Sequence, residues 1–297
     1  LYTNAHILTA QLDWLHFGFA TMALQIEHCA KTIGAHMAVS LRGFDVAIYP
    51  LKHPGCYDLL WRRVDKVHTI SQDLLSIAYA LGMKQNTPYA KITPAIDVRQ
   101  FQPNKEPNKK KINVPLKLLT VARLHWKKGL MDTLEVLALL KYKGIDFNYT
   151  IVGEGEAFEA LSFAIHQLQL SEQVSLIGRR KHKEIVALMD QCDIYIQYSI
   201  SEGFCNAVLE AQAMGCLCVV SNAEGLAENV IHNETGWVIP KRNPKLLANA
   251  ILEVINLPEQ LKLKITASAK QRVALYFNLE KQQEEFIEFY NYNPQIK

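Results

Sequence analysis

From residue 116 to residue 240 the chain beats regularly between short apolar runs and stretches of helical spacing. Residues 118–122 form one such run after Pro115, and Leu130, Leu134, Leu137 and Ala138 then recur at helical intervals. This alternation predicts an α/β fold with a doubly wound parallel sheet and helices of roughly ten to sixteen residues. In an open sheet of that kind, ligands bind in the turns at the C-terminal ends of the strands. The turns are therefore where the chemistry belongs.

One turn reads Ser201-Glu202-Gly203-Phe204-Cys205-Asn206-Ala207-Val208-Leu209-Glu210-Ala211. The apolar strand predicted at 193–197 leads into it, and helix formers from Ala207 to Met214 lead out. Glu202 falls in the turn and Glu210 about one turn inside the helix, from where its side chain tilts back toward the turn. A helix N-terminus offers free amides and a positive dipole end, which suit phosphate. Two carboxylates flanking an anion seat match a ligand with hydroxyls at both ends and phosphates between them, the shape of a nucleotide-sugar.

The turn after residues 118–122 carries Arg123, His125, Trp126, Lys127, Lys128 and Gly129. Arg123 and Lys128 sit at the same sheet edge as Glu202. Guanidinium offers a planar fork to phosphate oxygens, and ammonium a mobile point charge. Taken singly, each is an ordinary surface cation, and Lys127 competes with Lys128. Together they suit the charge that develops on a diphosphate leaving group.

At these residues the sequence resembles the retaining glycosyltransferases of family 4, on the GT-B fold. The tail of the chain resembles the same family: Gly215-Cys216-Leu217-Cys218-Val219-Val220-Ser221, Gly225-Leu226-Ala227-Glu228-Asn229-Val230-Ile231, and Asn233-Glu234-Thr235-Gly236-Trp237-Val238-Ile239-Pro240. The likeness is dense from 114 to 290. From 1 to 113 it is looser and is greatest to enzymes of exopolysaccharide, capsule and lipopolysaccharide assembly. It implies two Rossmann-like doubly wound domains facing a cleft: an acceptor-side domain with its linker over 1–113, a donor domain over 114–278, and a final helix over 279–297 that crosses back. No Gly-rich loop opens the first domain, so the sequence reads as N-terminally incomplete.

The resemblance also assigns residues. His16 matches a cleft histidine, and Arg42 and Asp45 match an H-G-x-D motif in which Arg42 replaces His. Glu202 would take donor-sugar hydroxyls, Glu210 the ribose diol, Arg123 and Lys128 the diphosphate, and the amides of 204–208 the phosphates. Gly178 and Arg179 lie near the nucleobase, although Arg179-Arg180-Lys181-His182-Lys183 equally reads as a solvated loop. Cys205 stands where relatives carry Gly. The implied activity is transfer of a hexose from a UDP-sugar or GDP-sugar to a glycan or lipid-linked saccharide, with no cofactor and no metal. The alternatives are a nucleotide-sugar epimerase and a non-catalytic nucleotide-sugar-binding module.

Composition narrows the classes further. A net charge of +3 over 297 residues is too slight to argue for nucleic acid. Six cysteines show no zinc spacing and read as buried free thiols of a cytoplasmic protein. The Lys109-Lys110-Lys111 run sits in a polar, Pro-containing linker over 103–114. It reads as solvated or as a peripheral contact with anionic membrane. Gly153-Glu154-Gly155 is a lone Gly-x-Gly with Phe158 at the third glycine position, not a dinucleotide fingerprint.

Overall fold

The computed structural model describes residues 4–103, 112 and 114–291. The lysine run expected at the membrane lies outside the described residues. Contacts group the chain into two compact units, the first holding 4–94 with 280–291 and the second 95–279. No helix of the described residues is long and apolar enough to cross a membrane.

In the first unit, β1 (Trp14–Phe17), β2 (His36–Leu41), β3 (Lys66–Thr69) and β4 (Tyr89–Lys91) form a parallel sheet in that order. The expected strands at 35–41 and 66–70 are β2 and β3. Strands β1 and β4 have four and three residues, too few for a periodic signal. Ser71 caps the helix Gln72–Ala80 as expected, its hydroxyl accepting from Leu74 N at 3.3 Å.

Register puts His16, Ala38, Lys66 and, two residues on, Ser40 and His68 on one face of this sheet. The helix Leu279–Asn291 covers that face. Phe289 is buried against Ala38 and Ile92, and Lys66 donates to the Phe289 carbonyl at 2.7 Å with its ammonium 4.5 Å from the Phe289 ring. Trp14 donates to the Tyr290 carbonyl at 3.1 Å and Gln282 to that of Thr93 at 2.7 Å. Aromatic packing and capped carbonyls hold the helix where a sheet with polar side chains offers little apolar area.

In the second unit, β5 (Leu116–Val121), β6 (Phe147–Val152), β7 (Val174–Leu176), β8 (Ile194–Gln197), β9 (Leu217–Ser221) and β10 (Trp237–Ile239) form a parallel sheet ordered β10-β9-β8-β5-β6-β7. Strands β8 and β9 are buried on both faces, which is why they read as continuous apolar runs. Helices Leu130–Tyr142, Phe158–Gln167 and Pro244–Asn256 pack Leu134, Leu137, Leu161, Leu247 and Ile251 against the sheet. Each such fully buried side chain contributes about 1.5–3 kcal/mol. The helix expected after Gly225 is a single turn, Leu226–Asn229.

The strand order reverses between β5 and β8. Right-handed connections leave β5 and β8 in opposite directions along the sheet, so their following segments diverge and open a crevice at the C-terminal edge. Arg123 to Lys128 follow β5. Ser199 to Cys205 follow β8.

Candidate active site

The turn after β5 is shaped by its glycine and histidine. Trp126–Lys128 make one tight helical turn, with the His125 ring accepting from Lys127 N at 3.2 Å. Gly129 ends it at φ +61°, where a Cβ would fall onto the Tyr198 carbonyl. Only glycine combines that backbone conformation with that approach. The turn is thereby pressed against the segment leaving β8, and Lys127 O accepts from Ile200 N at 2.6 Å and Ser201 N at 3.3 Å.

This contact delivers Lys128 to Glu202. Their side chains form an ion pair, only 17% and 13% exposed. The same carboxylate accepts from the Ser199 hydroxyl at 3.3 Å, and Ser199 accepts from Gln197 Nε2 at 2.8 Å. Tyr195 hydroxyl donates to Gln197 Oε1 at 3.3 Å, so a buried polar chain runs along β8 up to Glu202. Glu202 N donates to Glu224 at 2.6 Å, and Glu224 is paired with Lys241 at 3.1 Å. Burial, then the Arg123 charge, holds the Lys127 ammonium below its usual range, and Glu202, Lys128 and Glu224 also act on it. Arg123, Lys127, Lys128, Glu202 and Glu224 thus form one electrostatic cluster at the switch point. Lys128 makes the direct ion pair with Glu202. Arg123 is exposed.

The helix Asn206–Ala213 begins at Cys205 without a side-chain cap. Of the five amides expected to seat phosphate, Cys205 N donates to Asn229 Oδ1 at 3.2 Å and Val208 N to Cys205 O at 3.2 Å. Those two amides are already partnered, and the Ala207 amide also meets the Cys205 thiol, so the expected seat is left with the amides of Phe204 and Asn206. Asn229 also donates to Cys205 O at 3.0 Å and fixes the turn from both sides. Cys205 has φ −130°, extended backbone that any residue adopts, so cysteine in place of glycine introduces no strain. Burial pushes its thiol up to about 12, which keeps it protonated and non-nucleophilic.

Glu210 lies one turn into this helix, partly buried. Its carboxylate makes no hydrogen bond or ion pair among the described residues, and burial raises its pKa while His182 pulls it back. A carboxylate held in a costly environment without a partner for its side chain is a candidate ligand contact. His182 opens the helix after β7, so the expected loop ends at Lys181, with His182 and Lys183 helical, and the Arg179–Lys181 loop and Glu210 share one side of the site. Gly178, at φ +70°, accepts from Gly153 N at 3.0 Å, which ties the ends of β6 and β7 together. Gly153 and Gly155 let the loop after β6 approach the Ala122 and Leu124 carbonyls. Close backbone packing explains that Gly-x-Gly.

His16, Arg42 and Asp45 belong to the first unit. Asp45 is fully buried, and its carboxylate accepts from the amides of Arg42 at 3.0 Å, Gly43 at 2.8 Å and Ala20 at 3.3 Å. It shapes the loop after β2. Arg42 is exposed, its guanidinium 5.8 Å from the Phe19 ring. His16 has both ring nitrogens engaged, Nδ1 with Tyr290 hydroxyl at 2.6 Å and Nε2 with Ser40 hydroxyl at 2.9 Å. Ser40 continues to His68 Nδ1 at 2.8 Å, and His68 Nε2 reaches the Ile92 carbonyl at 2.9 Å. Burial lowers both histidines to about 4, so both rings are neutral at pH 7. The Ile92 carbonyl can only accept, which orients the whole chain: Tyr290 donates to His16, His16 to Ser40, Ser40 to His68, and His68 to Ile92.

Glu224, Lys241, Ser199 and Asn229 were not legible as site residues. Ser199 lies in an apolar strand exit, and Glu224 occupies φ +25°, which its residue type does not signal. Among the described residues, no group of three or more His, Cys, Asp or Glu could hold a metal ion.

The amylovoran biosynthesis glycosyltransferase AmsK of Erwinia amylovora is 28% identical over 93% of this chain and 68% of its own length. The N,N'-diacetylbacillosaminyl-diphospho-undecaprenol alpha-1,3-N-acetylgalactosaminyltransferase of Campylobacter jejuni is 31% identical over 79% of this chain and 62% of its own. The chain spans about two thirds of the length of the curated relatives it matches. Among solved structures, Anabaena HepE in complex with UDP superposes with a TM-score of 0.80 at 18% identity, covering 93% of this chain and 78% of that one. Sucrose-phosphate synthase of Thermosynechococcus elongatus reaches 0.82 at 16% identity, over 97% of this chain and 75% of that one. These likenesses show the GT-B fold. Residues 101–272, more than half of the chain, match the family described as glycosyl transferases group 1, and the chain belongs to that family.

Proposed function

We propose that this chain carries a retaining transfer of a hexose from a nucleoside-diphosphate sugar to a hydroxyl of a glycan or lipid-linked acceptor in cell-surface polysaccharide biosynthesis. The observation that carries the reading is the meeting of Lys128 and Glu202 across the strand-order reversal between β5 and β8. That edge is where an open α/β sheet binds its ligand, and it holds the two charges that a sugar diphosphate needs.

The roles follow from the charges. Arg123 and Lys128 take the diphosphate, and their attraction grows as the bond to the anomeric carbon breaks and negative charge develops on the leaving phosphate. Interactions that strengthen in the transition state are the ones that accelerate. Lys128 then turns from Glu202 to phosphate, and the donor-sugar hydroxyls replace it as donors to Glu202. Neither charge is left unpaired in the exchange. Glu210 takes the ribose diol through its two oxygens. The leaving phosphate, on the same face as the acceptor, draws off the acceptor proton, and configuration is retained. These cations supply the neutralisation that a metal gives in other transferases, so the reaction is read as metal-independent. His16 and Arg42 are read as acceptor-side groups of the first unit. The six free cysteines suit a reducing cytoplasm, with the lysine run as a peripheral membrane contact.

The test is incubation with radiolabelled UDP- and GDP-hexoses and a polyprenyl-diphosphate-linked saccharide, with the new linkage read by NMR. Transfer from one donor with the anomeric configuration kept supports the reading. Release of free or epimerised sugar, or donor binding without turnover, overturns it.

A further inference from the structure

Sequence Asn222-Ala223-Glu224-Gly225 follows β9 as a short polar turn. Glu224 stands in it at φ +25°, backbone that costs a non-glycine residue on the order of 1 kcal/mol. A side chain held in such a conformation is held there by its contacts, and Glu224 has two. Its Oε2 accepts from Glu202 N at 2.6 Å and its Oε1 receives Lys241 Nζ at 3.1 Å. Lys241 Nζ also donates to Ile200 O at 2.9 Å, and Lys241 N donates to Asn222 Oδ1 at 2.9 Å.

The target of these contacts is one short loop. Ser199 O accepts from the Ser221 hydroxyl at 2.5 Å, Ile200 N and Ser201 N bind Lys127 O, Ile200 O binds Lys241, and Glu202 N binds Glu224. The last four residues of the path from β8 to Glu202 thus have backbone groups tied to β9, to the turn after it, to the segment after β10, or to the turn after β5. Neither Glu224 nor Lys241 is needed to hold the sheet, since both act beyond the strand ends. A charged acceptor on an amide with a lysine behind it forms a short, charge-assisted contact.

We propose that Glu224, braced by Lys241, is a positioning residue that sets where the Glu202 carboxylate meets the donor sugar. The inference rests on the reading of Glu202 as the acceptor of sugar hydroxyls. It assigns the strained turn after β9 to sugar discrimination and leaves nucleotide binding to Arg123, Lys128 and Glu210.

The experiment compares wild type with Glu224→Gly, Glu224→Gln and Lys241→Met. Glycine suits the backbone at 224 but removes the carboxylate, so Glu224→Gly tests the contact without adding strain, and glutamine keeps an acceptor for Glu202 N. Two readouts are taken: deuterium exchange over 199–205, and the affinity ratio of UDP-hexose to UDP, or of GDP-hexose to GDP if that is the nucleotide bound. In Glu224→Gly, exchange over 199–205 rises and the sugar's share of the affinity falls by about tenfold, the loss of one good charge-assisted hydrogen bond, with nucleotide affinity held within about twofold. Lys241→Met gives a smaller change in the same direction, and Glu224→Gln restores most of the ratio. Unchanged exchange and an unchanged ratio in Glu224→Gly overturn the inference, as does an equal loss of nucleotide and nucleotide-sugar, which marks a merely structural role. If wild type binds no nucleotide, the transfer reading falls, and unchanged exchange in Glu224→Gly then overturns the clamp by itself.

Discussion

Lys128 and Glu202, 74 residues apart in sequence, form a largely buried ion pair that joins the turn after β5 to the turn after β8. The pair keeps both charges satisfied before donor arrives, so donor binding is an exchange of partners. Glu202→Gln frees the lysine for phosphate. We expect UDP or GDP affinity to rise roughly three- to tenfold in this variant, the scale of a charge-assisted contact, while sugar transfer falls by about 100-fold or more. Titration calorimetry and initial rates read the two effects. A drop in nucleotide affinity would sink the exchange.

Gly129 is the residue that lets the two turns touch. At φ +61°, a Cβ there would meet the Tyr198 carbonyl. Gly129→Ala is expected to destabilise the chain by about 1–3 kcal/mol through strain and displaced backbone, and to lower donor affinity with it. Thermal unfolding and calorimetry check both. Wild-type stability in this variant would show that the turns are held by other contacts.

Glu210 is placed at a cost to folding. Its folded pKa is raised, chiefly by burial. A carboxyl of this kind contributes stability below its unfolded value, which is lost as pH rises through the folded value. At pH 7 the charged side chain is therefore a burden, and Glu210→Gln should melt higher than wild type. The difference should close as pH falls toward roughly 4, the unfolded value. The same variant should bind nucleotide more weakly. A lower melting temperature at pH 7 would contradict the assignment.

The first unit carries a pH response of the opposite sign. His16 and His68 are depressed to about 4, chiefly by burial. Their stability is present above the unfolded value of about 6.5 and is lost as pH falls through 4. Unfolding followed between pH 7 and pH 4 should show this slope, and a His16→Gln/His68→Gln pair should flatten it. Tyr290→Phe removes the donor to His16 and should cost about 1 kcal/mol. An unchanged slope in the double variant would mean that other groups govern the acid limb.

Much of this was legible because it rests on local pattern. The buried strands β5, β8 and β9 announce themselves as apolar runs, and the turns after β5 and β8 carry Arg123, Lys128, Glu202 and Glu210 in plain view. The strand order was not legible, since pairing is set by tertiary contacts. Nor was the use of Asp45 to bind backbone amides, which a motif match cannot distinguish from a substrate contact. Glu224 and Lys241 escaped notice for a similar reason. Their role depends on which loops the fold brings together, and neither residue type nor spacing encodes it. Cys205 stands where the resemblance expects Gly, yet its extended backbone accepts any side chain.

The central claim is that the edge between β5 and β8 is a nucleotide-sugar donor site. Calorimetric titration with UDP, GDP and ADP, repeated on Glu210→Ala and Arg123→Ala, tests it most directly. The account predicts that one of UDP and GDP binds, and that each variant weakens binding by at least about tenfold, or 1.4 kcal/mol. Absence of binding by all three nucleotides, or wild-type affinity in both variants, would contradict it.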